Sequence, residues 1–114
     1  MKYVLFYESG DDVATNAPPH FPAHSARLQE FHARGDLLMV GTFGDPQNEG
    51  SMSVFSSREA AEEFAKDDPF VLHNVVRAWH IREWNEVDGV LSATRRAAFW
   101  ATPKVTGRSL LDAL

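Results

Sequence analysis

A chain of 114 residues with 44% hydrophobic and 24% charged side chains has the composition of one folded domain. Its 16 acidic and 11 basic residues give a formal charge of -5, which disfavours binding to nucleic acid or to an anionic membrane surface. Because the chain contains no cysteine, disulfides, thiolate zinc sites and cysteine nucleophiles are excluded, and we expect a cytoplasmic protein.

The apolar periodicity and the turn residues predict four strands and two helices. In chain order they predict a strand over 3–7, a loop over 9–19, a helix over 22–33, a strand over 37–40, a turn over 45–50, a strand over 52–55, a helix between 56 and 68, a turn over 70–74 and a strand over 75–84. The strand regions are rich in aromatic and β-branched residues.

Capping signals define the two helices. Pro22 suits the first position of the first helix, and Gly35 follows its last turn. Ser56 and Glu59 have the spacing of a capping box at the start of the second helix, which must end before Pro69. The inward stripes of the two helices are expected to contain His24, Leu28 and Phe31 in the first and Ala60, Ala61, Phe64 and Ala65 in the second.

The element order predicts an α+β fold of the ferredoxin-like, split βαβ type, with an antiparallel sheet and both helices on one face. The other face would then be apolar and exposed, so we expect a homodimer that pairs these faces. The candidate residues for that face are Tyr3, Met52, Val54 and Trp79 or Ile81. The composition changes after Trp84, which predicts a domain over 1–84 and a C-terminal extension over 85–114, either an arm that wraps the partner or a flexible tail.

Two side chains could carry acid/base chemistry. His24 lies on the inward stripe of the first helix, and Asp68 follows the second helix. If they meet, the carboxylate would orient the imidazole and fix its tautomer, leaving a general base that needs neither metal nor cofactor. The alternative is structural: His24 forms a hydrogen bond in the core, and Asp68 caps backbone N–H groups. A metal site of two histidines and one carboxylate, drawn from His20, His24, His73 and Asp68, is a further, weaker alternative, because His20 precedes the helix.

Four motifs resemble those of the YCII family. They read Pro22-Ala23-His24-Ser25-Ala26-Arg27-Leu28, Val40-Gly41-Thr42, Ser57-Arg58-Glu59-Ala60-Ala61 and Asp68-Pro69-Phe70, and they follow one another in the family's order over residues 1–84. The resemblance implies a dimeric α/β-barrel built from ferredoxin-like subunits. It also implies a site formed by His24 and Asp68, and kinship with enzymes that act on small ring compounds.

We therefore expect a catalytic pair, His24 and Asp68, in a lyase or isomerase that moves a proton on a small, cyclic, oxygenated compound. The expected substrate-binding residues are Tyr7, Gly41, Thr42, Phe43 and Phe70, whose aromatic members suit a flat ligand. Gly41 and Gly44, at the end of the second strand, are expected to let the backbone bend closely past a neighbouring group. Two alternatives stay open: a non-catalytic module that binds a small molecule, and a structural role in oligomer assembly, which predicts no pocket between helices and sheet.

Overall fold

A computed structural model describes residues 1–87 of the chain. The strands are β1 (Lys2–Ser9), β2 (Leu37–Thr42), β3 (Ser51–Phe55) and β4 (Val76–Trp84). The α-helices are α1 (Val13–Asn16), α2 (Phe21–Ala33), α3 (Pro46–Glu49), α4 (Arg58–Asp67) and α5 (Pro69–Leu72), and a 3-10 turn covers Pro18–His20.

The sheet is antiparallel and has the strand order β2-β3-β1-β4. Leu5 in β1 lies opposite Ser53 in β3 and Ile81 in β4. The core that this face of the sheet forms with α2 and α4 contains Leu5, Phe31, Phe55 and Phe64. This arrangement confirms the predicted α+β, ferredoxin-like fold, including the hairpin formed by β2 and β3.

Helix α2 confirms the predicted inward stripe. His24 and Phe31 are buried, and Leu28 packs against the core. The helix begins at Phe21, one residue before the proline that was expected to open it, and it ends close to Gly35, whose φ of 83° is the left-handed conformation that glycine favours.

Helix α4 buries the four predicted residues, Ala60, Ala61, Phe64 and Ala65. The serine that caps it is Ser57 rather than Ser56. Ser57 has an extended backbone, and its hydroxyl accepts a hydrogen bond from the N–H of Ala60 at 3.1 Å. Glu59 is therefore the second helical residue, one position short of the reciprocal bond of a capping box.

Three segments that were predicted as loops or turns contain short helices. Residues 9–19 include α1 and the start of the 3-10 turn, residues 45–50 include α3, and α5 takes up the start of 70–74. The 3-10 turn, α3 and α5 each begin with a proline. In these three segments proline was interpreted as part of a loop or turn or as the end of a helix, although its fixed φ also suits the first turn of a helix, as was expected at Pro22.

The prediction for the second face of the sheet was partly wrong. Met52 lies on that face opposite Phe6, but Trp79 lies opposite Tyr7 on the helix-covered face, where it packs against the core with Ile81. Tyr3 also shares the helix-covered face, since it alternates with Leu5 along β1. The imperfect alternation of β4 did not determine its register, and a shift of one residue exchanges the two faces of a strand.

The predicted extension over 85–114 falls outside the described residues except for its first three positions, so its two alternatives remain predictions. Among the helices within residues 1–87, none is both long and apolar enough to cross a membrane.

Candidate functional site

The fold brings His24 and Asp68 together. His24 lies one turn into α2 with 9% of its surface exposed, and Asp68, in the link between α4 and α5, is completely buried. The Nδ1 atom of His24 is 2.7 Å from Oδ1 of Asp68. Residues 44 positions apart in the chain thus form one buried hydrogen-bonded pair.

Asp68 accepts two more hydrogen bonds. Its Oδ1 accepts one from the backbone N–H of Phe70 at 3.1 Å, which caps α5, and its Oδ2 accepts one from the hydroxyl of Tyr7 at 2.7 Å. The expected capping role of Asp68 and its contact with His24 therefore coexist. Sequence reasoning placed Tyr7 only in the wall of a pocket and missed this bond to the carboxylate.

Tyr7 is held by its backbone as well as by its hydroxyl. It lies on the helix-covered face of β1 opposite Ser51, and Gly50 packs directly on its carbonyl group. A Cβ atom at Gly50 would collide with the Tyr7 carbonyl oxygen, and the φ of Gly50 is 76°. The expected close passage of a glycine thus occurs at Gly50 and not at Gly41, where a Cβ atom would have open space.

Burial raises the pKa of Tyr7 far above its ordinary value, and the negative charge of Asp68 and the hydrogen bond to it raise it further. The phenol is consequently protonated near neutral pH and donates its hydrogen bond to Asp68. Since Tyr7 and Phe70 both donate to Asp68, the carboxyl group acts as an acceptor on both oxygens.

Because Asp68 accepts hydrogen bonds on both oxygens, we assign the proton in the bond between His24 and Asp68 to Nδ1. No described residue forms a hydrogen bond with Nε2 of His24, and every fully buried side-chain nitrogen or oxygen in the described residues has a partner. Within residues 1–87, Nε2 is thus without a hydrogen-bond partner, and His24 keeps 9% of its surface exposed. As far as residues 1–87 are concerned, this arrangement leaves Nε2 of His24 available to take or deliver a proton.

Aromatic rings fix the plane of the imidazole. The ring of Phe70 stacks on that of His24 with centroids 3.8 Å apart and an interplanar angle of 7°. Phe64 approaches the imidazole edge-on at 6.3 Å. Because Asp68 holds one ring nitrogen and Phe70 covers one ring face, the direction of Nε2 is set by several contacts.

His24 lines a cavity of about 350 Å³ between the helices and the sheet. Its volume lies toward the small end of the ~300–1,000 Å³ typical of small-molecule sites. The cavity contradicts what a purely structural role predicted. Polar groups in its wall come from Tyr7, Ser9, His24, Thr42, Ser51 and Ser53. Among the described residues, no Asp, Glu, Lys or Arg side chain lines it.

Most of the expected substrate-binding residues lie at this cavity. Tyr7, Gly41, Thr42 and Phe70 line it, whereas Phe43 lies outside. Phe43 instead lines a separate depression of about 530 Å³. Phe43 was expected at the substrate cavity. The direction of its side chain depends on the turn after β2, and the short helix α3 in that turn was not predicted.

The structure does not assemble the alternative metal site. His20 stacks on His73 with ring centroids 4.0 Å apart and an interplanar angle of 8°. Within residues 1–87, no group of three or more His, Cys, Asp or Glu side chains is placed to hold a metal ion.

Several residues of the cavity were not predicted from the sequence. Val13, Ala14 and Ala17 belong to α1 and its end, in a segment that was expected to be an irregular loop. Ser51 and Ser53 belong to β3, where their alternation with Met52 was the available signal. Small polar residues that alternate with apolar ones on a strand indicate a second, more polar face.

The fold and the site define a class: a ferredoxin-like α+β domain with a buried histidine–aspartate pair beside a cavity to which residues 1–87 contribute no Asp, Glu, Lys or Arg side chain. The chain belongs to the family of the YCII-related domain, which matches residues 1–85. It is 31% identical over 97 residues to Protein YciI from Escherichia coli O6:H1 and, equally, to Protein YciI from Shigella flexneri. These matches cover 76% of this chain and 99% of each relative.

A solved structure has a similar fold. It is the 5-chloro-2-hydroxyhydroquinone dehydrochlorinase from Burkholderia phenoliruptrix in complex with 2,5-dihydroxybenzoquinone. The TM-score is 0.61 at 18% sequence identity, and the match covers 78% of this chain and 98% of the other. At this identity the likeness concerns the fold.

Proposed function

We propose that this protein is an acid/base enzyme of the lyase or isomerase type, in which His24 moves a proton on a small oxygenated ring compound. The observation that carries the proposal is the geometry of His24: Asp68 occupies Nδ1 at 2.7 Å, no described residue bonds Nε2, and the residue lines a cavity. A buried base with one fixed tautomer and one free nitrogen suits general acid/base catalysis.

In the proposed reaction, Nε2 of His24 takes a proton from a carbon next to a carbonyl group. The electrons of the C–H bond pass into an enolate, and Asp68 stabilises the imidazolium that forms. The imidazolium then returns the proton to another atom of the same compound, which is an isomerisation. Alternatively, a leaving group departs from the neighbouring carbon with its bonding electrons, which is an elimination.

The side chains in the wall of the cavity favour an uncharged ligand over a charged one. Its described residues offer hydroxyl groups from Ser51, Ser53 and Thr42 but no cation that could pair with a carboxylate or a phosphate. A charged ligand would lose its hydration in this cavity without gaining a partner. The flat ring of Phe70 and the side chain of Phe21 favour a planar compound. A structural neighbour that acts on a hydroxylated ring is consistent with this substrate class.

Thermal-shift screening tests the proposal. We expect hydroquinones and lactones to stabilise the protein and ring carboxylates of equal size not to do so, because only bound ligand raises the stability of the folded state. Compounds that bind are then tested for turnover. His24→Gln should lower turnover by about 100-fold to 10,000-fold, the usual contribution of a general base. His32→Gln, on the exposed side of the same helix, is the matched control.

A non-catalytic binding module is the second candidate, and the cap that Asp68 provides to α5 favours it, because that contact alone could explain the buried carboxylate. This candidate predicts that compounds bind and that none is converted. Unchanged turnover in the His24→Gln variant would contradict the catalytic proposal, and binding without any turnover would favour the module.

We also propose that the protein is a homodimer that pairs the sheet faces opposite α2 and α4. Phe6 and Met52 lie on this face, and Trp84 at its border is 50% exposed. Burying these side chains in a symmetric interface would remove apolar surface from water. Sedimentation should give the mass of a dimer, and Phe6→Glu should give a monomer. A wild-type monomer at micromolar concentration would contradict the proposal.

A further inference from the structure

We propose that Tyr7 is a positioning residue for the pair of His24 and Asp68. Its phenol holds Oδ2 of Asp68 at 2.7 Å, so that Oδ1 stays on Nδ1 of His24 and the carboxylate remains a pure acceptor. Nε2 is then kept as the free base at the cavity. The catalytic meaning of Tyr7 rests on the proposed function, whereas its effect on the imidazole can be measured without a substrate.

The carboxylate of Asp68 needs a hydrogen-bond donor for each of its two oxygens. A fully buried carboxylate is costly unless both of its oxygens are paired. Its Oδ1 is paired with His24 and with the backbone of Phe70, whereas Tyr7 is the partner that the described residues provide for Oδ2. Loss of the Tyr7 hydroxyl would leave Oδ2 buried without that donor.

The phenol of Tyr7 also affects how strongly Asp68 and His24 bind protons. A hydrogen bond from a phenol stabilises the anionic form of a carboxylate and spreads its charge. With this donor in place, Asp68 attracts a proton less strongly, and so does the imidazole that shares a hydrogen bond with it. Removing the phenol would make the coupled pair hold a second proton more tightly. That proton occupies Nε2, and the free base is then lost.

Water cannot easily replace the Tyr7 hydroxyl as the donor to Oδ2 of Asp68. Water would have to reach Oδ2 of Asp68, but that residue is completely buried, and the Tyr7 ring that would remain in Tyr7→Phe still fills the space. The position of the ring is fixed by the strand, because Gly50 packs against the Tyr7 carbonyl. The effect of Tyr7→Phe is therefore expected to stay at the hydrogen bond.

The experiment follows the two ring nitrogens of His24 by ¹⁵N NMR across a pH titration of the wild-type protein, Tyr7→Phe and Tyr3→Phe. In the wild type we expect the neutral imidazole to carry its proton on Nδ1. In Tyr7→Phe we expect Nε2 to bind its proton about tenfold more tightly, which is the scale of one hydrogen bond to a charged group. Tyr3→Phe, which removes a phenol from the same strand face, should leave His24 unchanged.

A double variant separates this role from a general disturbance of the site. In an Asp68→Asn background, Tyr7→Phe should have no further effect on His24, because the proposed route runs through the carboxylate.

A second probe keeps the phenol: fluorotyrosine incorporated in the Tyr3→Phe protein makes the hydroxyl at position 7 a stronger hydrogen-bond donor. It should weaken proton binding at Nε2, the opposite direction from Tyr7→Phe.

The proposal is overturned if Tyr7→Phe changes proton binding at Nε2 by less than twofold. It is also overturned if the change is the same with Asn at position 68, or if fluorotyrosine shifts it in the same direction as phenylalanine. None of these measurements needs a turnover assay. A shift in His24 without any substrate that is converted would support the role of Tyr7 and count against the proposed enzyme.

Discussion

The buried phenol of Tyr7 makes the stability of this protein sensitive to alkaline pH, and Tyr7→Phe should remove that sensitivity. In the folded state burial and Asp68 raise the pKa of Tyr7 above its ordinary value. In the unfolded chain the phenol ionises near pH ~10. Above that pH the unfolded state loses the proton while the folded state keeps it, so stability falls as pH rises.

The size of the effect follows from linkage. At pH ~11 the wild-type protein should have lost about 1.4 kcal/mol of unfolding free energy that the Tyr7→Phe variant does not lose. Near neutral pH the wild type is the more stable of the two proteins, because the variant lacks a hydrogen bond to a charged group that contributes about 1.5–3 kcal/mol. The stability gap between the two proteins should therefore narrow as the solution becomes alkaline.

Urea unfolding at several pH values, monitored by circular dichroism, measures this difference. Groups that do not share hydrogen bonds with Tyr7 titrate alike in both proteins and cancel when the two curves are subtracted. Tyr3→Phe should follow the wild-type curve, since it retains Tyr7. Parallel curves for the wild type and Tyr7→Phe between neutral pH and pH ~11 would refute the reasoning, because they would mean that the phenol ionises alike in the folded and unfolded states.

Three further substitutions test the contacts that support the site. Gly50→Ala should destabilise the protein by more than about 1 kcal/mol in urea unfolding, through the collision with β1 and the strained φ, whereas Gly41→Ala should be tolerated. Ser57→Ala should cost about 1 kcal/mol by removing the cap of α4, and an equal loss in Ser56→Ala would contradict the assigned cap. Phe64→Ala should lower the unfolding free energy by about 3–5 kcal/mol; a loss below ~1 kcal/mol would contradict its place in the core.

The sequence predicted the long elements because their apolar periodicity matches their burial. The stripe of α4, from Ala60 to Ala65, and the burial of His24 and Phe31 in α2 agree with the structure. The short helices were not predicted, because four residues give no periodicity to read. Their signal was proline in a first turn, as in Asp68-Pro69, which resembles both the end of one helix and the start of the next.

His24 and Asp68 could be singled out because each, a histidine on an inward stripe and an aspartate before a proline, is unusual in its local context. That they form one site was implied by the family resemblance and not by their spacing. The bond from Tyr7 could not, since an aromatic residue on a central strand is ordinary in every local respect. Its partner lies 61 positions away, and only the sheet register and the turn of Asp68 decide that the phenol meets a carboxylate rather than the core. For a buried charge, the number of donors that the surrounding elements must supply is therefore a better guide to missed site residues than the sequence around the charge.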